Sequence, residues 1–484
     1  MLLVLLLWCI LVAAAGLAQL HDHHHDDDEI IFNVLDFGAV GDGVTEDTTA
    51  LRQAIAMAGN YYNQHSQQNN NKIVTVVHLP ALHTFVSAPL NLTSNMKFRV
   101  DGTIQAITNA TVPDFEQKWP QIPPPANAAS SEDNNRVLQY QAFLYASQAH
   151  NLTVEGLGTI DGQGPWWWDM FQHDRTALPA GRPNLLQCVG CTHLEITGVT
   201  FQDAAFWTLH PILCHNVHIH HVTIRSPMYA PNVDGIDPDS CTNVMIEHND
   251  VSCGDDHIAI KAGRCGLGDS VLDKTQCQHD FRFAAGLFQS SNITIRYNVF
   301  RTGMGIALGS DVSGGIERVN IYQNVIGLCQ QGSVDNGQSC GWGHAFHLKT
   351  TLTRSGYLRH IRFADNVVYN NTGFVLVETD YQSHYQTPPP YPTTQIYNIS
   401  IVGNSAIGTA RGMQFGCSEY MPCQDIVVKD NWILNGDAES SYHCHYVASY
   451  HVDNNSPPGL GECFDQSIPP HPNPPTPSYF RTQQ

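Results

Sequence analysis

Nine short segments share one design, and that repetition constrains the fold more than any other feature. They are "HNLTVEGLGTIDGQG", "CTHLEITGVTFQD", "CHNVHIHHVTIRSP", "CTNVMIEHNDVSCGDD", "SNITIRYNVFRTGMG", "ERVNIYQNVIGL", "LRHIRFADNVVYNNTG", "YNISIVGNSAIGTA" and "QDIVVKDNWILNG". Each begins with a polar turn and a short strand of alternating apolar residues. Asn, Gly or Asp follows, then a second short strand. Alternation at period two points every other side chain inward. Strands this short cannot bury a face alone, but stacked coils share one continuous core. The pattern predicts an all-β chain wound as a single-stranded right-handed parallel β-helix. A β-sandwich is the alternative. It would need hairpin turns of the Asn-Gly type at regular intervals, and these are largely absent.

Stacking makes further predictions. Cys191, Cys214 and Cys241 occupy equivalent turn positions, as do Asn216 and Asn243, with Asn292 in the next register. Both sets read as ladders inside the coil. The cysteines then serve as small apolar groups, which makes "CVGC" (188–191) a poor zinc or redox site. "DFGAVGDGVTEDTTALRQAIAMAG" predicts a short N-terminal capping helix through Leu51 and Ile55, with Thr45 or Asp47 as its cap.

The chain of 484 residues divides into four parts. Residues 1–18 are an uncharged apolar run ending in small residues, which reads as a secretory signal peptide. An uncleaved anchor is the alternative. Residues 19–30 form a His/Asp-rich leader, expected to be solvated rather than metal-binding. Residues 31–464 hold the β-helix, and 465–484 a Pro-rich tail. No second apolar run is long enough to span a bilayer. The expectation is a secreted, extracellular protein of the cell wall or surrounding space, monomeric and free of the membrane once the signal is cut. Asn-x-Ser/Thr triplets at Asn91, Asn109, Asn151, Asn292, Asn370, Asn398 and Asn454 fit that route as glycosylation acceptors. Cys9 leaves with the signal, and an odd number of cysteines remains. Cys265 with Cys277, Cys329 with Cys340, and Cys417 with Cys423 each bracket a loop and are expected disulfides.

A formal charge of -21 argues against a nucleic-acid partner. The chemistry lies in the acids. Asp234 stands in "PNVDGIDPDS", and Asp255 and Asp256 about one coil later in "CGDDHIAIKAG". Neighbouring strands lie about 4.8 Å apart, so stacking would gather three carboxylates in one patch. Such a patch strains full ionisation and should raise a pKa, leaving an acid beside a base. That equipment suits cleavage of a glycosidic bond without a cofactor or metal. Asp-Gly turns and calcium binding remain competing readings. Asp237 and Asp239 read as solvated turn residues.

The blocks "NVDGID", "CGDDHIAIKAG", "GIALGSDVSGGI" and "HLKT", in that order, resemble the signature of the polygalacturonases, glycoside hydrolase family 28. "DFGAVGDGVTEDTTALRQAI" and "GTIDGQGPWWW" resemble its N-terminal half, so the likeness runs from about Asp36 to Trp432. The first block also occurs in other β-helix proteins, including phage tailspikes; the ordered set is specific. The resemblance implies an inverting hydrolase of α-1,4-galacturonan, an acidic pectin-type polysaccharide. Asp255 matches the general acid, and Asp234 and Asp256 the carboxylates that hold and activate water. Asn232, Lys349, His347 and Tyr381 match substrate-binding positions. Two departures bear on the substrate. Met304 stands where the family usually has histidine, and a thioether cannot share a proton. His347 replaces an arginine, exchanging a permanent fork for a titratable ring. His347 and Lys349, two apart on one strand, are expected to offer local cations to a uronate, with a buried, neutral, hydrogen-bonded His347 as the alternative. His257 reads as an outward-facing surface residue.

Overall fold

The structure, a computed structural model, describes residues 29–66, 73–108, 115–125, 138–174, 178–263, 288–328, 341–351, 356–381, 394–434, 442–456 and 458–465. The chain winds as a right-handed parallel β-helix. One face is a parallel sheet of thirteen strands from Glu29–Asn33 to Tyr450–Asp453, and a second has twelve. A third face is divided into four-stranded and six-stranded sheets. Single-residue bridges join these parts: Leu209 to Ile236 to Ile258, and Ile212 to Asp239 to Lys261.

The repeat explains the interior. In the first sheet Leu152, Leu194, Val217, Val244, Ile293, Val319, Ile361, Ile399 and Ile426 stand in register on successive coils. All are buried, while the residues between them face out. Cys191, Cys214 and Cys241 are buried and unpaired as the repeat requires, and Cys188 with them.

The asparagines divide differently from the sequence reading. Asn216, Asn243 and Asn292 do stack, with Asn292 Nδ2 donating to Asn243 Oδ1 (2.7 Å) and Asn243 Nδ2 to Asn216 Oδ1 (3.1 Å). They line the outside, however, at left-handed φ of 58°, 57° and 56°. Asparagine is tolerated there because its short polar side chain bonds locally. The interior ladder is a second set: Asn249, Asn298, Asn324, Asn366, Asn404, Asn431 and Asn455. Each Oδ1 from Asn298 onward accepts both the backbone N–H and an Nδ2 proton of the rung before it, at 2.9–3.1 Å. The other Nδ2 proton goes to a backbone carbonyl, as from Asn366 to Ile321 and Ala364. A buried polar column is stable only when satisfied in this way.

The capping helix, Thr48–His65, covers the N-terminal end with Leu51, Ala54, Ile55 and Ala58. Asp47 sits at its cap position, but its carboxylate turns away and accepts the amides of Val40 (2.6 Å) and Gly41 (3.2 Å). Glu29, placed in the leader by sequence, belongs to the first strand and is held there by Lys97 and Arg99. Cys417–Cys423 is a disulfide as expected, and Cys444–Cys463 is another that sequence reading missed. The signal, residues 19–28 of the leader, the tail from residue 466, Asn109, Cys265–Cys277 and Cys329–Cys340 lie outside the described residues. The other six triplet asparagines are exposed. No described helix is long and apolar enough to cross a membrane.

Candidate active site

The acids converge where the divided third face is stitched together. Asp234 leads into the Ile236 bridge, and Asp255 and Asp256 lead into the strand Ile258–Ile260. Gly235 N–H donates to the Asp256 carbonyl (2.9 Å), so Asp234 and Asp256 sit on adjacent coils. A β-carbon at Gly254 would meet the Ala230 carbonyl oxygen at 2.0 Å, and the tight "CGDD" turn therefore needs glycine. Asp234, Asp255 and Asp256 each present one carboxylate oxygen, all within 4.8 Å of one another. Asp234 and Asp256 are buried, and Asp255 is partly exposed. Met304, in the usual histidine position, donates its backbone N–H to the Asp255 carbonyl (2.8 Å).

Two buried lysines offset part of this charge. Lys349, from the strand Gly341–Thr350, donates to Asp256 Oδ2 at 2.5 Å. Burial alone would lower its pKa, but Asp256, Tyr381 and Asp255 outweigh burial and raise it well above the usual lysine range. Lys261 lies 3.4 Å from Asp237 and 3.9 Å from Asp234, with its ammonium 4.3 Å from the centre of the Trp207 ring. These ammonium groups supply the positive charge that a calcium ion would otherwise bring, and calcium would need six to eight oxygen ligands. The arrangement therefore favours acid–base chemistry over a calcium site.

The remaining expected site residues gather around them. Tyr381 packs against Lys349 and His347, 5.0 Å from Lys349 Nζ to the ring centre and 5.8 Å from the His347 ring. Asn232 holds a left-handed φ of 57°, and its Oδ1 accepts a bond from Arg182 (2.9 Å). Arg182 is itself buried, donates to the Pro231 carbonyl (2.8 Å) and lies over Phe171.

Four expectations are corrected. Asp237 and Asp239 are not solvated; both are buried. Burial first, and Asp256 in addition, push the Asp237 carboxyl up to about 7 against the pull of Lys261 and Asp234. Asp239 accepts from Gly263 N–H (2.9 Å) and the Ser240 hydroxyl (2.8 Å), which makes it a turn brace. His257 is fully buried, its Nδ1 accepting from Gly305 N–H (3.1 Å), and burial pushes its pKa down to about 4. His347 does share a face with Lys349, but it is no free cation. Its Nε2 meets Glu378 at 3.2 Å, and burial lowers its pKa more than Glu378 raises it.

Lys261, Asp237, Arg182 and Trp207 were missed as site residues. Lys261 carried a signal, since a lysine ending the apolar strand "IAIK" must find an anion if it folds inward. Arg182 and Trp207 carried none that the repeat could show.

Clustered carboxylates flanked by buried lysines on a parallel β-helix suit the acid–base chemistry of a glycoside hydrolase. The comparisons with known proteins agree: the model of the glycosyl hydrolases family 28 matches residues 70–453, and the chain belongs to that family. A probable polygalacturonase of Vitis vinifera is 25% identical over 371 residues, covering 76% of this chain and 67% of that one. Among solved structures, an exopolygalacturonase from Thermotoga maritima superposes with a TM-score of 0.69 at 24% identity, covering 90% of this chain and 93% of the other. A polygalacturonase from Erwinia carotovora gives 0.62 at 18% identity, over 89% and 99%.

Proposed function

We propose that this glycoside hydrolase cleaves α-1,4-galacturonosyl bonds of a pectin-type polysaccharide outside the cell, by water attack with inversion. The observation that carries the reading is the convergence of three carboxylates within 4.8 Å, only one of them partly exposed. Asp255, the exposed one, protonates the leaving oxygen. Asp256, paired with Lys349, and Asp234 beside Lys261 hold and deprotonate the water. Lys349, Tyr381, Asn232 and His347 bind the uronate around that centre. The enzyme acts as a secreted monomer, glycosylated at its exposed acceptor asparagines. Met304 and the Glu378-bound His347 favour a second reading, in which the substrate is another acidic polysaccharide of the rhamnogalacturonan kind. A catalytically weak wall-binding β-helix is disfavoured, because a binder gains nothing from clustered carboxylates.

Inverting enzymes usually separate their carboxyls by about 6.5–9.5 Å and retaining ones by about 5–5.5 Å. The spacing here is close. Inversion follows from the resemblance, with the water held between neighbouring carboxylates. The test is reducing-end release from polygalacturonate by the wild-type protein, with proton NMR of the first-formed product. An inverted anomer is expected. A retained anomer overturns the roles given to Asp234 and Asp256. No release from polygalacturonate, with release from rhamnogalacturonan, selects the second reading.

A further inference from the structure

We infer that Glu195, His218 and His220, on the outer face of the first sheet, form a binding site for one divalent late first-row ion of the zinc or copper kind. The segment "CHNVHIHHVTIRSP" places His218 and His220 two apart on the strand His215–His220, so both project from one face. Glu195 is the in-register neighbour of His218 on the strand Thr192–Thr197. One ligand atom from each of the three lies within 4.8 Å of the others.

Several contacts are close to those a metal requires. Around a four-coordinate zinc with bonds of about 2.0–2.1 Å, ligand atoms are about 3.3 Å apart. His220 Nε2 already stands 3.1 Å from Glu195 Oε1, and the His218 and His220 rings are 4.0 Å apart. Glu247, on the next strand, faces His218 from the other side with Oε1 3.1 Å from Nε2, while Arg296 takes its Oε2. It can serve as a fourth ligand or brace His218.

The second ring nitrogen of His220 is also engaged. Nδ1 meets Thr197 Oγ1 at 3.2 Å and His221 Nδ1 at 2.8 Å. Metal-binding histidines are commonly oriented by such a contact on the other nitrogen. With the ion on Nε2, the neutral ring carries its single proton on Nδ1, where Thr197 Oγ1 or His221 Nδ1 accepts it. Two imidazoles and a carboxylate suit zinc or copper better than calcium or magnesium, which prefer oxygen alone. Glu195 and His218 border an open hollow of about 660 Å³, so an ion can reach them from solvent. This face belongs to the first sheet, whereas Asp255 and its partners serve the third, so the site stands apart from the hydrolytic centre.

The test is zinc binding to the full secreted protein by equilibrium dialysis, with the thermal midpoint followed alongside. The His-rich leader can bind zinc as well, but it is the same in every variant, so differences report this site. His218→Asn/His220→Asn should bind one ion fewer. It should also lose the zinc-induced rise in midpoint, because the ion ties two neighbouring coils of the folded state. Glu195→Gln, which keeps a hydrogen-bond partner for His220, should weaken zinc binding about tenfold. It carries the test alone if the double variant folds poorly. Cobalt should give a visible absorption band in the wild type that Glu195→Gln weakens. Equal zinc uptake and equal midpoint shifts in wild type and Glu195→Gln would overturn the proposal.

Discussion

The asparagine ladder and the carboxylate site are products of the same coil stacking, and they use it in opposite ways. In the ladder, each buried amide between the ends gives both protons and receives two, so every rung is paid in kind by the next. At the site, stacking brings together groups that repel. Their charge is only partly offset by Lys349 and Lys261, whose contacts do not repeat along the helix. The regular column holds the coils in register. The irregular cluster stores the charge imbalance that chemistry needs, and it depends on the column to keep its parts in place.

The sharpest way to separate the two is to neutralise one acid. Asp255→Asn cannot donate the proton, and general acid catalysis is worth about 10²–10⁴ in rate. Turnover should fall by about a hundredfold to ten-thousandfold while the thermal midpoint hardly moves. Retention of most wild-type turnover by the purified variant would remove Asp255 as the acid.

The matching break in the ladder is Asn366→Ala. It strips an acceptor from the Asn324 N–H and Nδ2 and takes the Nδ2 donor from Asn404 Oδ1, which keeps only the backbone N–H of residue 366. Orphaned buried groups cost about 1–3 kcal/mol each. A clear fall in thermal midpoint is expected, with turnover per folded molecule unchanged. If the midpoint stayed at the wild-type value, the ladder would not be what holds the coils.

How far each region could be read from sequence follows from the same contrast. The inward apolar residues, the cysteine stack and the one-coil offset of Asp234 from Asp256 were legible, because a repeat projects onto sequence as a period. Asn216, Asn243 and Asn292 were legible as a stack, but not as an outward one: sequence gives the register of a turn residue without its φ. The pairing of Lys349 with Asp256 spans 93 residues and that of His347 with Glu378 spans 31, across segments of unequal length. No local pattern could predict either. The burial of Asp237 and His257 was hidden because turns between strands have no fixed period.

Asp237 tests whether the site carries an imbalance at all. Its folded pKa, about 7, lies above the ordinary 3.8. A raised acid contributes stability that is fully present below about 3.8 and is lost as pH rises through about 7. Asp237→Asn imitates the protonated form and should lack that loss. Thermal midpoints measured from pH 4 to 8 should therefore fall for the wild type relative to the variant, with the gap growing as pH rises. Parallel curves would mean that Lys261 and Asp234 keep Asp237 ionised throughout.

The smallest effect is expected at His347, where the site borders solvent. An exposed imidazole would lose its charge near pH 6.5, and uronate binding would weaken across that region. Here burial lowers the pKa more than Glu378 restores it. The ring therefore loses its charge in more acid solution than a free imidazole does, and any dependence of KM on its charge should shift the same way. When protonated, the ring also faces the Glu378 carboxylate at 3.2 Å, which competes with the substrate for its charge. His347→Arg makes the charge permanent, but the guanidinium meets the same carboxylate. Since a partly exposed pair of this kind is worth up to about 1 kcal/mol, KM should change by no more than about fivefold. The measurement is KM against pH from 4 to 8 for both proteins on an acidic oligosaccharide the enzyme cleaves. The midpoint of the wild-type KM rise should lie below pH 6.5, and the variant should be flat throughout. A wild-type rise centred near 6.5 would show that the ring titrates as an exposed histidine, free of Glu378. Coincident profiles would remove His347 from substrate binding and leave Lys349 and Tyr381 to hold the uronate.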